Sequence, residues 1–251
     1  MNLSTHKFKL RIAETYLKTK PPKNSFLWDT ISKKMSVADE TELTLQELLE
    51  SATSGNVFQL GELYHEHTPD EKRELKELYR EDKQEYERYL AKINNRKYTL
   101  KTADIIAIDV DNDAGNVQPM DVIDFIKPSA VYYTFSHQTI SEHSKSIQSS
   151  YRLLFALSEP CDADMLEFIS KNISAKIIKK YPHILAYKGE VEPTLKKKMI
   201  LGSRNKNYMI FDNVIDVDPY KDKYRFVREL DELQAISKLT TTANTIKDSE
   251  L

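Results

Sequence analysis

Two aspartates, Asp109 and Asp111, close the stretch IIAIDVDND at residues 105–113. Side chains two apart on a strand share a face, so the aspartates point one way while Ile108 and Val110 turn to the core behind them. Like charges on one face repel and need compensation. A divalent cation supplies it, because Mg2+ takes hard oxygen ligands and leaves room for substrate phosphates. Asp and Asn are also ordinary turn residues after a strand, so the pattern alone leaves both readings open.

Two further stretches bear on the choice. EVEPTLKKKMILGSRNKN (190–207) brings Glu190 and Glu192, a short strand, and a Gly-Ser turn with Arg204, Lys206 and two asparagines. A third carboxylate beside the aspartates completes a two-metal clamp, and the basic turn suits phosphate oxygens. Glu192 before Pro193 reads equally as the opening of a loop, and GSRNKN as an exposed hairpin. YYTFSHQTISEHSKSIQSSYRLLFAL (132–157) places His137 and His143 in a Ser-rich connection and Arg152 in an otherwise apolar strand. An unpaired buried arginine is costly. Arg152 therefore calls for an anion: Asp109, Asp111, Glu192 or a bound triphosphate.

The elements that must position these groups change character along the chain. Residues 1–99 read as a helical, highly charged N-terminal region. Ser25 or Asn24 caps a helix carrying Phe26, Leu27, Trp28 and Ile31. Thr44 with Glu47 has capping-box spacing, and TPDEKRELKELYREDKQEYERYLAKI predicts one long helix with an apolar stripe. Residues 100–218 carry β-rich runs: ADIIAIDVD, SAVYYTFS, SYRLLFAL and KMILGS. Helical patterns PMDVIDFIK and DADMLEFISKNISAKIIKKY lie between them, giving the order β, α, β, β, α, β with helices on one face. Residues 219–251 predict a helix and a frayed tail. The fold class expected is α+β.

Composition excludes several classes. The 251 residues are 30% charged and 40% hydrophobic, a soluble globular profile. No apolar run nears the roughly 18 residues of a membrane span, and the N-terminus has no signal-peptide pattern, so a cytoplasmic protein without a membrane partner is expected. Cys161 is the only cysteine, so no zinc is expected, and any metal is held by oxygen. The net charge of −2 does not advertise nucleic-acid binding, but a local basic stripe suffices for phosphate contacts. Arg96, Lys97 and Lys101 with Tyr98, together with Lys196, Lys197 and Lys198, supply candidates, and Tyr98 is placed to stack on a base. Scattered surface lysines are the competing reading.

The joint order of these motifs resembles the archaeo-eukaryotic primase and primase-polymerase superfamily, most closely the primase domains of phages, plasmids and other mobile elements. The likeness covers roughly residues 100–212. It rests on the hDhD strand, the strand entering a Ser-containing turn, the strand headed by a variant of Ser-x-His, and the acid ahead of a strand and Gly-Ser turn. The resemblance implies an RRM-like catalytic core with a mixed or antiparallel sheet. It assigns Asp109, Asp111 and Glu192 as catalytic ligands of two Mg2+ or Mn2+ ions, Glu192 standing where the family usually has Asp. Ser150, Tyr151 and Arg152 fall at Ser-x-His, so Arg152 takes the histidine's place at the nucleotide phosphates. His137 with Ser136 comes second, and His143 third. Ser203, Asn205 and Lys206 match the nucleotide-holding turn, with Arg204 and Lys197 toward DNA. The activity implied is primer synthesis or extension on single-stranded DNA from NTPs or dNTPs, in replication of a mobile element, with a helicase or other replication proteins as partners. The alternatives are another metal-dependent DxD transferase, such as a glycosyltransferase, and a non-catalytic DNA-binding replication module.

Overall fold

The computed structural model describes residues 1–22, 25–63, 69–96, 100–140, 145–194, 199–204 and 207–229. Its first half runs β1 (Lys7–Ala13), α1 (Phe26–Val37), β2 (Glu40–Thr44), α2 (Leu45–Thr53), β3 (Val57–Leu60), β4 (Glu62–Leu63), α3 (Pro69–Glu81) and α4 (Lys83–Arg96). It continues with β5 (Leu100–Asn112), α5 (Pro119–Ile126), β6 (Ala130–Tyr133), β7 (Ser149–Asp162), α6 (Ala163–Lys180), a 3-10 segment (Pro182–Lys188), β8 (Glu190–Pro193), β9 (Ile200–Leu201), β10 (Tyr208–Ile210) and β11 (Val214–Ile215). The fold is α+β. Met1–Ile215 form one compact unit and Asp216–Leu251 a second, in which residues 218–229 are helical.

The predicted helix starts are where the caps put them. Ser25 accepts the Trp28 amide, and Thr44 and Glu47 form the reciprocal capping box of α2. Asp162 caps α6 by accepting the Met165 amide. The long charged helix divides at Asp82, whose carboxylate accepts the Gln84 and Glu85 amides and so starts a second helix. The N-terminal region also carries strands that its helical character did not announce. In β1, Phe8 and Leu10 are buried while Lys7 and Lys9 are exposed, the period-two pattern of a half-buried strand.

Those strands build a four-stranded sheet ordered β2-β1-β3-β9. The KMILGS run, expected as the last strand of the core sheet, instead supplies β9 to this one, with Ile200 opposite Phe58 and Leu201 opposite Val57. The last strand of the expected β, α, β, β, α, β order is β8. It pairs with β5 in the larger, seven-stranded sheet, whose main path is β10-β6-β7-β5-β4. Its ladders are antiparallel except where β11 runs parallel to β7.

β5 is buried from Ala103 to Val110, as a strand covered on both faces must be. Its odd face, Ile105 and Ala107, joins Leu154, Ala156 and Tyr132 of neighbouring strands in one core with Phe8, Leu10 and Phe58 of the smaller sheet. α6 packs on the larger sheet and buries Leu166, Ile169, Ile173 and Ile177. The odd face continues past Ala107 into Asp109 and Asp111, so the aspartates emerge on the side where the two sheets meet.

Gly202 fastens the end of β9 to the turn between α2 and β3. Its amide donates to Asn56 O at 2.8 Å, and the Ser203 amide donates to Ala52 O at 2.8 Å. A Cβ at Gly202 would lie 2.2 Å from Ala52 O and 2.3 Å from Asn56 O, both backbone atoms. Gly202→Ala is therefore expected to destabilise the protein by about 1–3 kcal/mol, read as a lower urea midpoint at unchanged slope. An unchanged midpoint would mean that the β9 turn moves freely.

Candidate active site

Strand register gathers the predicted residues into two rows. Glu192 of β8 lies opposite Asp109 of β5, Asp109 opposite Arg152 of β7, and Arg152 opposite Tyr132 of β6. In the next row Glu190 faces Asp111, and Asp111 faces Ser150. Residues directly opposite in an antiparallel ladder share a face, so three segments remote in sequence place their acids and their arginine on one surface.

Arg152 is the pivot of the first row. Its Nη2 lies 2.5 Å from Asp109 Oδ2, and its Nη1 donates to the Tyr132 hydroxyl at 2.8 Å and to Leu201 O at 2.9 Å. Its side chain is 7% exposed and that of Asp109 11%, so the expected anionic partner is Asp109 and the pair is almost dry. Burial alone would lower the Arg152 pKa. The Asp109 charge, with help from Tyr132, outweighs it and holds the guanidinium protonated. Arg152 Nε makes no hydrogen bond among the described residues. Burial raises the Tyr132 phenol to about 12, so it stays a neutral donor and acceptor.

Asp111 has a different environment. Burial, and then the Asp109 charge, raise its carboxyl above the ordinary range, while Ser150, Lys20 and Arg152 pull it back. The fold thus disfavours a second negative charge beside the first.

The rows form one wall of a cavity of about 530 Å³, a size usual for small-molecule sites. Asp109, Asp111 and Glu190 are its acids. Glu192 shares Asp109's row but is exposed on β8 and does not line the cavity, so the third acid of the wall is Glu190. Thr134 and Ser136 from the connection after β6 add hydroxyls. The lining also holds groups that sequence reasoning did not assign to a site: Lys20, Trp28 and Ser32 from around α1, and Phe135 and Met199, which pack against the cluster with Ile31 and Met35 of α1. Trp28 and Ser32 are four apart, one helical face. Their sequence signal was an ordinary helix start after KTKPP, with no mark of its destination.

Ser150 stays in Asp111's row, where it is fully buried. The remaining candidates disperse. Ser203 Oγ donates to Tyr133 O at 2.5 Å, tying the turn after β9 to β6. His137 stacks on Tyr133 with ring centroids 4.0 Å apart, and burial pushes its pKa down. It lies outside the cavity wall. Arg204 is exposed two residues beyond Gly202 of the wall. Lys101 pairs with Glu62 at 2.7 Å and sits eight residues before Asp109, roughly 26 Å along the strand. Arg96 ends α4, and its side chain lies outside the described residues. So do Lys97, Tyr98, His143, Lys196, Lys197, Lys198, Asn205 and Lys206.

No family model, curated protein or solved structure matches this chain.

The donor set fits a hard divalent cation in kind: carboxylate oxygens from adjacent strands and nearby hydroxyls, without nitrogen or sulfur. Asp111's raised pKa marks a place where added positive charge is favourable. Among the described residues no three His, Cys, Asp or Glu side chains are grouped ready to hold a metal, and Asp109 is turned to Arg152. Among the described residues no helix is long and apolar enough to cross a membrane.

Proposed function

We propose that the chain is a nucleotidyltransferase of the primase or primase-polymerase type, joining NTPs or dNTPs on single-stranded DNA in the replication of a mobile element. The observation that carries this reading is the register that sets Glu190, Asp111, Asp109 and Arg152 on one wall of one cavity. Two carboxylate rows beside a buried arginine suit a substrate that is itself a polyanion, since cations must balance both.

Asp109, Asp111 and Glu190 are the residues that would hold Mg2+ or Mn2+. Such an ion, when bound, polarises phosphoryl oxygens and lowers the pKa of a coordinated hydroxyl. The protein's part is placement. Arg152, locked by Tyr132 and Leu201, presents fixed positive charge without reorganisation. Thr134 and Ser136 offer neutral donors, and the apolar groups of the lining limit water around the phosphates. Arg204 and Lys196, Lys197 and Lys198 flank Gly202 and Met199 of the lining in sequence and are the basic residues proposed for a template strand.

One observation favours the non-catalytic alternative: Asp109 is already neutralised by Arg152 without a cation, as a structural acid would be. A primer-synthesis and primer-extension assay on single-stranded DNA, with Mn2+ or Mg2+ and each labelled nucleotide class, separates the two. Metal-dependent incorporation is expected. Glu190→Gln should lower it on the order of 100-fold, while Glu192→Gln changes it by no more than a few-fold. DNA binding without incorporation under any metal or nucleotide would establish the binding module instead. Incorporation without a template, or hydrolysis of a sugar nucleotide, would establish another transferase.

A further inference from the structure

The cavity has two chemically distinct sides. One is the acidic wall. The other is apolar: Trp28 lies on α1, Phe135 and Met199 pack against the cluster that holds Ile31 and Met35 of the same helix, and Lys20 precedes that helix in the lining. Catalysis at the phosphates needs only the first, and an aromatic wall in a wet, charged cleft is costly unless something flat and apolar covers it. Trp28 is half-buried while Phe26 and Leu27 beside it are exposed at 85% and 45%, so α1 directs one of three consecutive large side chains into the cavity.

We propose that Trp28, with Phe135 and Met199, receives the heterocyclic base of the nucleoside triphosphate, and that Lys20 grips its phosphates. This rests on the nucleotidyltransferase reading and adds the base and phosphate subsites to it. Bases stack on aromatic side chains with little regard to sequence, and Met adapts to purine and pyrimidine outlines alike. Lys20 and Arg152 are the cations of the wall among the described residues, and Arg152 is already held by Asp109, Tyr132 and Leu201. Lys20 is exposed and close enough for its charge to act on Asp111. It can therefore follow a phosphate chain lying between them, whereas the buried guanidinium is fixed.

Trp28 is the chain's single tryptophan, so its emission reports on this side of the cavity alone. ATP and dTTP, each with Ca2+ and the full chain, are expected to quench that emission saturably. Tripolyphosphate with Ca2+ should leave it nearly unchanged while displacing either nucleotide. In equilibrium dialysis, Trp28→Leu should weaken nucleotide binding about tenfold or more and leave tripolyphosphate binding intact. Lys20→Ala, on an exposed residue that the fold does not need, should weaken both ligands about tenfold. It stands as the second arm if Trp28→Leu fails to fold by circular dichroism. Nucleotide binding with unchanged emission and unchanged affinity in both variants would overturn the subsites and leave the proposed activity standing. Absence of nucleotide binding by the wild-type chain would overturn both.

Discussion

Arg152→Ala is expected to cost about 3–5 kcal/mol of folding stability, because it strands a buried carboxylate without its counter-charge. The guanidinium touches both sheets: Asp109 and Tyr132 in the larger, Leu201 O in the smaller. Deletion therefore removes a cross-link as well as a charge. Arg152→Lys should recover only part of the loss, since a point-charge ammonium cannot reproduce the planar fork that meets three acceptors. The double variant Arg152→Met with Asp109→Leu is expected near wild-type stability, because well-packed apolar residues commonly replace a buried pair without penalty. Chemical denaturation of the wild type, Arg152→Met, Asp109→Leu and the double variant closes a cycle that reads the interaction. A single-variant loss below about 1 kcal/mol would mean that water reaches the pair, as in exposed ion pairs.

That contrast bears on function. A pair that apolar residues can replace at no cost in stability is retained for another reason, and Asp109 and Arg152 then belong to the site's chemistry. If the double variant is as unstable as the single one, the pair is part of the scaffold, and the structural-acid alternative gains.

Much of this arrangement was legible in the residues. The alternation of IIAIDVD fixed which face carried the aspartates, and Arg152 in an apolar run required an anion that proved to be Asp109. Caps at Ser25 and Thr44 marked helix starts because each is a local hydrogen bond between near neighbours. The choice between Glu190 and Glu192 was not legible. Both lie on β8 facing one side, and only the position of the cavity along that strand separates them. Nor could Trp28 or Lys20 be assigned, since their approach to Asp111 depends on how the smaller sheet docks on the larger. The destination of KMILGS was hidden for the same reason: a two-residue strand carries no information about which sheet it joins. FKLRI carries strand alternation, but it is a single short run ahead of helical, highly charged segments.

Asp111→Asn is expected to abolish nucleotidyl transfer, by a factor on the order of 10³ or more, and at the same time to make the protein more stable. Burial and Asp109 raise the folded-state pKa of Asp111 above its ordinary value of 3.8. Between that value and the raised one the folded state binds more protons than the unfolded chain, so stability falls as pH rises through the window. Above it the charged carboxylate keeps a constant cost. The amide removes both the cost and the slope. A gain of about 0.5–2 kcal/mol near pH 7 is in the range of other relieved sites, a rise of roughly 1–8 °C in Tm for a chain of this size. Mn2+ should raise the Tm of the wild type, because it binds the folded state and neutralises the same charge, and should do so less for Asp111→Asn. If the variant melts lower than wild type at pH 7, Asp111 is stabilised by contacts that outweigh its charge. If it melts higher but still transfers nucleotides, the acidic wall is not where the chemistry occurs.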